Sequence, residues 1–304
     1  MKKSRLFTYP IIIASVVFWG ISFILTKELF LTEEHMTVTT LITLRLAIAT
    51  AVMFPALLLM RKLQRIRRED IKWFLLLAFC EPFIYHLCET SGVQLVSGSL
   101  ASVVIATIPL FVPFGMWIAY HHRIRPAIII GVVLSLIGVL IMLGGEFSTL
   151  NFQLSTFKGI LFLSGAVAIA VVYTLLLVKV VDHYHPIVVT TWQNLIGLAY
   201  FLPLMLAIDG GQLAMLSWSP KMLLLILVLG ICCSTLAYAG YNYGVRTLGA
   251  AEACIFNNAI PVFSLIAAVL LGQERFGWLK VVGVVVVISG VVISQLPDKK
   301  SKTQ

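Results

Sequence analysis

Residues 92–111 read GVQLVSGSLASVVIATIPLF, and residues 244–263 read GVRTLGAAEACIFNNAIPVF. The second stretch repeats the first at an offset of 152 residues. Gly92 falls on Gly244, Val93 on Val245 and Ala101 on Ala253. Ile108-Pro109 falls on Ile260-Pro261, and Phe111 on Phe263. Working outward at the same offset, Arg123 falls on Arg275, Gly131 on Gly283, Gly138 on Gly290 and Val139 on Val291. Between 92–139 and 244–291, 12 of 48 positions are identical without a gap. Val, Leu and Ile coincide easily in an apolar chain, but Gly, Pro and Arg do not. Lys27 and Lys179 keep the same spacing. The chain therefore reads as two related halves.

Composition says where such a chain can fold. Of 304 residues, 60% are hydrophobic and 12% charged. Mean hydropathy is +1.01. A soluble domain carries about 25% charged residues, and this chain lacks the polar shell it would need. It reads as a polytopic membrane protein. The net charge of +9 sits in short loops, which suits membrane topology better than nucleic-acid binding. The five cysteines, Cys80, Cys88, Cys232, Cys233 and Cys254, all lie in apolar runs. Their number is odd and their spacing fits no zinc site, so they read as small core residues. Lys2, Lys3 and Arg5 precede a long apolar run without a small-residue cleavage site, so that run reads as a first spanning helix and not a signal peptide.

A spanning helix needs roughly 20 apolar residues. Ten segments qualify: 11–31, 37–60, 71–92, 99–120, 126–145, 157–180, 186–207, 221–244, 252–272 and 277–296. With the N-terminus in the cytoplasm, sixteen Lys and Arg fall inside and five outside. That bias puts both termini inside. The basic run from Arg61 to Lys72 is a topology signal that can also meet anionic lipid. The domains follow: a first five-helix repeat over 1–145, a connecting loop over 146–156, a second repeat over 157–296 and a cytoplasmic tail over 297–304. Five is odd, so the second half enters the membrane from the opposite side. The fold class is all-α, an integral membrane protein of ten helices in two inverted repeats, an architecture common to secondary transporters. Pro109 and Pro261 interrupt spans 4 and 9 at equivalent depth and mark a binding region or hinge. Gly131/Gly138 and Gly283/Gly290 read as close-packing positions between spans 5 and 10.

Further stretches resemble the EamA group of the drug/metabolite transporter superfamily. The first span reads Val17-Phe-Trp-Gly-Ile-Ser-Phe23 and ends in Lys27. Span 2 holds Leu44-Arg45-Leu46, the paired helices are 99–111 and 251–263, and Gly272-Gln-Glu-Arg275 is similar to that group's Gly-x-Glu element. The resemblance covers essentially the whole chain. It implies a small-solute transporter, commonly an exporter of amino acids or other metabolites, and with the short tails it implies a bacterial plasma membrane. The halves are not equivalent everywhere: His122 stands opposite Glu274, and Leu100 opposite Glu252.

Ionisable residues within a span are costly and face protein or a water-filled cavity. Four stand out: Arg45, Glu81, His86 and Glu89. On a regular helix Glu81, Tyr85 and Glu89 share one face, with His86 on its flank. At 1.5 Å per residue, Arg45 lies roughly 12 Å deep from the outer surface, Glu81 about 16 Å and Tyr85 about 10 Å. Arg45 can then reach the Glu81/Tyr85 level. Two readings stay open. Arg45 and an acid form an ion pair that holds helices together, or Glu81 faces the pathway and binds a substrate amine or a proton. His86 is a proton relay or a packing residue. Tyr238, Tyr241 and Asn242 supply polarity on span 8, and Asn257 and Asn258 on span 9 one turn before Pro261. Trp19 and Tyr173 are near-equivalent wall candidates for an apolar or aromatic moiety. Gln193 and Asn194 have no argument placing them on a pathway.

Together these features point to a secondary transporter exporting amino acids or similar metabolites. The alternative in the same class is efflux of cationic drugs. An intramembrane enzyme is the reading from another class, but no HExxH, GxSxG or phosphate-binding Gly-rich loop supports it. No cofactor or metal is expected. The expected partners are a small-molecule solute, membrane lipid and a coupling proton, with a homodimer allowed and no nucleic acid.

Overall fold

The computed structural model describes residues 2–121, 124–143, 154–272 and 277–294. These residues are all-helical, with no strand among them. Ten helical segments follow in order: α1 (Lys2–Thr32), α2 (Val38–Leu59), α3 (Ile71–Leu95), α4 (Gly98–Tyr120), α5 (Pro126–Leu143), α6 (Leu154–Val181), α7 (Pro186–Leu213), α8 (Pro220–Leu248), α9 (Ala250–Leu270) and α10 (Trp278–Ser294). Over the described residues, all but α5 and α10 are long and apolar enough to cross a membrane. The chain thus has the helices of a multi-pass membrane protein. His122, Arg123, Glu274, Arg275, the residues 146–153 and the tail 297–304 lie outside the described residues.

The helices lie where the apolar runs predict, with shifted ends. α7 runs on to Leu213, past the expected end at 207. Asp209, within that extension, is buried and accepts hydrogen bonds from Thr37 (2.9 Å) and Thr39. Once its charge is satisfied, the helix has no reason to stop. Local caps set other boundaries. Thr37, Ser97 and Ser219 each accept from a backbone N–H of the first turn of α2, α4 and α8, which satisfies donors that a helix leaves free.

Polarity is distributed as lipid requires. Leu59, Leu161, Leu206, Leu224, Leu270 and Trp278 are exposed, while Thr40, Asn242, Asn258 and Ser264 are fully buried. With lipid as the surrounding solvent, polar side chains gain only by turning inward to partners on other helices.

Packing follows a regular scheme. α1 packs on the second part of α8 and on α9, while α6 packs on the second part of α3 and on α4. α2 pairs with α7, and α5 pairs with α10. In the α5–α10 pair a Cβ on Gly131 would stand 2.5 Å from Gly290 O, and one on Gly138 2.7 Å from Gly283 O. Only glycine allows that backbone approach.

Four helices are irregular near mid-length. α3 passes through a π-helical turn at Phe79–Ile84, where Glu81 is extended (φ −147°, ψ 117°) and the Glu81–Pro82 peptide is cis. α8 has a π-helical turn at Leu229–Leu236. α4 breaks at Ala106-Thr107, and α9 passes through a 3-10 stretch at Cys254–Ala259. Pro109 and Pro261 follow these breaks in the first turn of the resumed helices Ile108–Tyr120 and Ile260–Leu270. They do not kink a continuous helix, as the sequence suggests. Each sits where a missing N–H costs no hydrogen bond.

Both ends of the bundle are tied across helices. At one end Glu33 accepts from Ser217 (2.7 and 2.8 Å) and Ser219 (3.3 Å), and Lys221 pairs with Glu28 at 2.6 Å. At the other, Tyr184 donates to Asp70 (2.6 Å), and Gln64 accepts from His185 N and Trp192 Nε1, both at 2.9 Å. These bonds anchor the basic loop between α2 and α3. Burial, with Arg246 and Lys62 nearby, holds His185 below the ordinary histidine range.

Candidate functional site

The breaks of α3, α4 and α9 border a cavity of about 540 Å³ of empty space, the open space at its mouth included. Side chains from α1, α2, α3, α4, α6, α8 and α9 line it. It carries one guanidinium, from Arg45, and two carboxylates, from Glu81 and Glu89. All three groups are buried, with residue exposures of 3%, 5% and 8%.

Glu81 is reached through the break in α3. Its extended backbone takes it out of the helical register, so the face-sharing spacing with Tyr85 and Glu89 does not run through it. All three line the cavity nonetheless. Tyr238 of α8 donates to the Glu81 carboxylate, and Gln193 Nε2 of α7 donates to the Glu81 carbonyl at 3.0 Å. That carbonyl loses its regular helical partner where the backbone turns extended, and Gln193 satisfies it. Helix α7 comes close enough because position 197 is glycine: a Cβ there would meet Pro82 Cγ at 2.2 Å.

From Gln193 a buried network continues. Its Nε2 lies 3.3 Å from the Tyr173 hydroxyl, which donates to Asn242 Oδ1 at 3.1 Å. Asn242 Nδ2 donates to Thr190 Oγ1 at 3.0 Å. Gln193 and Asn194 also line a smaller adjoining cavity with Glu81, Pro82, His86, Thr190 and Tyr238. Glu81 therefore stands between two cavities, and Gln193 of α7, which the sequence does not place on a pathway, supports its backbone.

The remaining predicted residues are placed as follows. His86 Nδ1 lies 3.3 Å from Glu89 Oε2, one turn along α3. Tyr85 lines the cavity beside them. Trp19 packs edge-on against Tyr238 (5.0 Å between ring centroids) and lies 5.2 Å from Tyr241. Arg45 donates from Nε to Ser234 Oγ at 3.2 Å. Of the two readings left open for this set, the ion pair between Arg45 and an acid is not formed among the described residues. α2 packs against α7 and the π-turn of α8, which presents Ser234 and not a carboxylate. Asn257 lines the cavity with its Oδ1 unpartnered. Asn258 is fully buried and is not among the cavity's lining residues, and neither amide atom has a hydrogen-bond partner among the described residues. Pro109 and Pro261 stay out of the lining, but their neighbours Ile108 and Ile260 enter it.

Sequence reading left out the wall residues Ser22, Thr174 and Ile105 and gave Tyr241 no role there. Tyr241 follows Tyr238 by three residues, and helical spacing places both on one face. For Ser22, Thr174 and Ile105 no signal distinguishes a cavity wall from a packed one. Among the described residues no group of His, Cys, Asp or Glu is arranged to hold a metal ion.

The arrangement offers buried ionisable groups of both signs and aromatic faces to one cavity. Tyr238 keeps its ring against Trp19 while its hydroxyl holds the buried carboxylate. Tyr238→Phe should therefore preserve packing and remove one donor, costing about 1–3 kcal/mol for the acceptor left in apolar surroundings. Chemical unfolding in detergent measures it, and an unchanged stability would mean that water replaces the hydroxyl.

The sequence pattern of the EamA-like transporter family matches residues 6–144 and again 157–296. An uncharacterized transporter of Archaeoglobus fulgidus is 27% identical over 296 residues, covering 96% of this chain and 98% of its own. The uncharacterized transporter YetK of Bacillus subtilis is 24% identical over 306 residues, covering 99% and 90%. One crystal structure of a protein superposes with a TM-score of 0.76 at 19% identity, over 96% of this chain and 98% of that one. That likeness is one of fold.

Proposed function

We propose a transport function for this chain, which belongs to the EamA-like transporter family: it is a secondary transporter that exports amino acids or similar small metabolites by alternating access. The observation that carries the reading is one cavity lined by the buried ionisable groups of Arg45, Glu81 and Glu89 together with the aromatic rings of Trp19, Tyr173, Tyr238 and Tyr241. A scaffold alone gains nothing from a cavity with three buried ionisable groups, because desolvation is costly.

In this reading all ten helices span the membrane as two inverted five-helix repeats, 1–145 and 157–296, with both termini cytoplasmic. The exchange in packing supports it. Shifting α1 by half the chain gives α6, and the partners of α1 (α8, α9) become the partners of α6 (α3, α4). The self-paired sets α2–α7 and α5–α10 obey the same exchange. Rocking of the halves would release the Glu33 and Lys221 contacts at one end or the Asp70 and Gln64 contacts at the other. Pro109 and Pro261, at the restart of the broken helices, are the proposed hinges. The membrane is the bacterial plasma membrane, a proton is the coupling ion, and a homodimer is compatible with the exposed apolar faces. The reading assigns no catalytic chemistry.

Efflux of cationic drugs is the second reading, and it draws on Glu81 with the aromatic faces of Trp19 and Tyr238, which attract cations. Purified protein in liposomes, tested with radiolabelled amino acids and then with lipophilic cations, separates the two. Flux of amino acids with an imposed pH gradient is the expected result. Flux of cations alone would replace the first reading by the second, and flux of neither would remove the transport reading.

A further inference from the structure

We propose that Arg45 is the receptor for a carboxylate on the transported solute; the assignment rests on the transport reading above. Arg45 is 3% exposed, and its only hydrogen bond among the described residues runs from Nε to Ser234 Oγ at 3.2 Å. Among the described residues no carboxylate lies within ion-pair distance of it. The two acids that line the same cavity are engaged elsewhere, Glu89 with His86 at 3.3 Å and Glu81 with Tyr238. The two terminal amino groups of the guanidinium thus remain as a fork of donors on the cavity.

A buried charge without a partner is expensive, and a guanidinium cannot discharge itself by losing a proton. A solute carboxylate satisfies it, because the planar fork takes two oxygens at once. The surrounding charges select what that carboxylate belongs to. With Glu81 and Glu89 nearby, a dianionic phosphate would meet two like charges, whereas an added ammonium would meet unlike ones. The solute is then an amphoteric molecule with one carboxylate and one amine, its apolar part against Trp19, Tyr238 and Tyr241. This binding mode is not available to a cationic drug.

The fork is held in place by α8. A Cβ on Gly230 would stand 3.0 Å from the Arg45 carbonyl, so glycine lets the π-turn bearing Ser234 approach α2. Asn194 Nδ2 lies 3.4 Å from the Ser234 carbonyl and helps to fix that turn.

The test uses full-length protein in liposomes, with the twenty amino acids and the matching amino-acid amides as competitors of a radiolabelled amino acid. The amides keep the amine and side chain and lack the carboxylate. Wild type should prefer the acids. R45Q should lower the apparent affinity for the acids by about 100-fold, and change that for the amides by less than about threefold. R45K keeps the charge without the fork and should fall between the two. Elution as a single species and an unfolding temperature near wild type establish that each variant is folded. If R45Q does not fold, R45K carries the test, with a loss of about tenfold for acids and none for amides. Unchanged discrimination in a folded R45Q, or a wild type that prefers the amides, overturns the assignment and leaves transport standing. No flux of the labelled amino acid by folded wild type overturns the amino-acid reading, and this assignment with it.

Discussion

Glu81→Gln is expected to abolish accumulation against a gradient while leaving exchange intact. The amide is isosteric with the carboxylate, so it can still accept from Tyr238, but it takes up no proton. If one proton moves with each solute, a gradient of about one pH unit supports up to about tenfold accumulation. In the variant that ratio should fall to unity, while counterflow at equal pH stays within about threefold of wild type. Radiolabelled solute in liposomes with and without an imposed pH gradient gives both numbers. Tenfold accumulation by Glu81→Gln would remove the proton role and return Glu81 to the scaffold. His86 and Glu89 would then be next, since they share the cavity and form the remaining titratable pair on it.

The second large effect concerns the α5–α10 pair. In Gly131→Ala the added Cβ would stand 2.5 Å from Gly290 O, 2.6 Å from Ser294 Cβ and 2.9 Å from Ser294 N. Two of these atoms are backbone and cannot turn aside, so the helices must separate. Alanine favours a helix over glycine by about 0.8–1.0 kcal/mol, and overpacking costs typically 1–3 kcal/mol and occasionally more. Sterics should win, with net destabilisation of up to about 2 kcal/mol by the difference of those ranges. Gly210→Ala in α7 is the control, because nothing lies within 4 Å of its Cβ. It should be neutral or slightly stabilising. Chemical unfolding of the two variants side by side in detergent decides the matter. Equal stability would mean that the pair slides at little cost.

The places of the helices were legible because each is an apolar run bounded by charge or by turn residues. Their ends were less so. Asp209 marks an end only if its charge meets water, and it meets Thr37 and Thr39 instead. The prolines were legible as special positions, but not as first-turn residues. That depends on where the chain breaks before them, and the residues of the breaks, such as Ala106 and Thr107, carry no breaker signature. The matched glycines of α5 and α10 announced close packing, and the two helices do meet at them.

The candidate site was legible in its ionisable and aromatic members, since a buried Arg45, Glu81, His86 or Glu89 is conspicuous against an apolar background. How they are connected was not. Arg45 bonds Ser234, 189 residues away, and Glu81 meets Tyr238 across 157. Arg125 pairs with Glu252, the acid that faces only Leu100 in the other half.

The sequence by itself determined the solvent of this protein, its helices and the residues that cannot sit comfortably in lipid. Hydropathy acts residue by residue and is readable along a chain. Only the tertiary structure decided which buried charge has a partner, which backbone is broken to expose Glu81 and which helices carry the supports. Those outcomes depend on side chains brought together from distant segments. A hydrogen bond across the bundle depends on angstrom-scale geometry that no local pattern encodes.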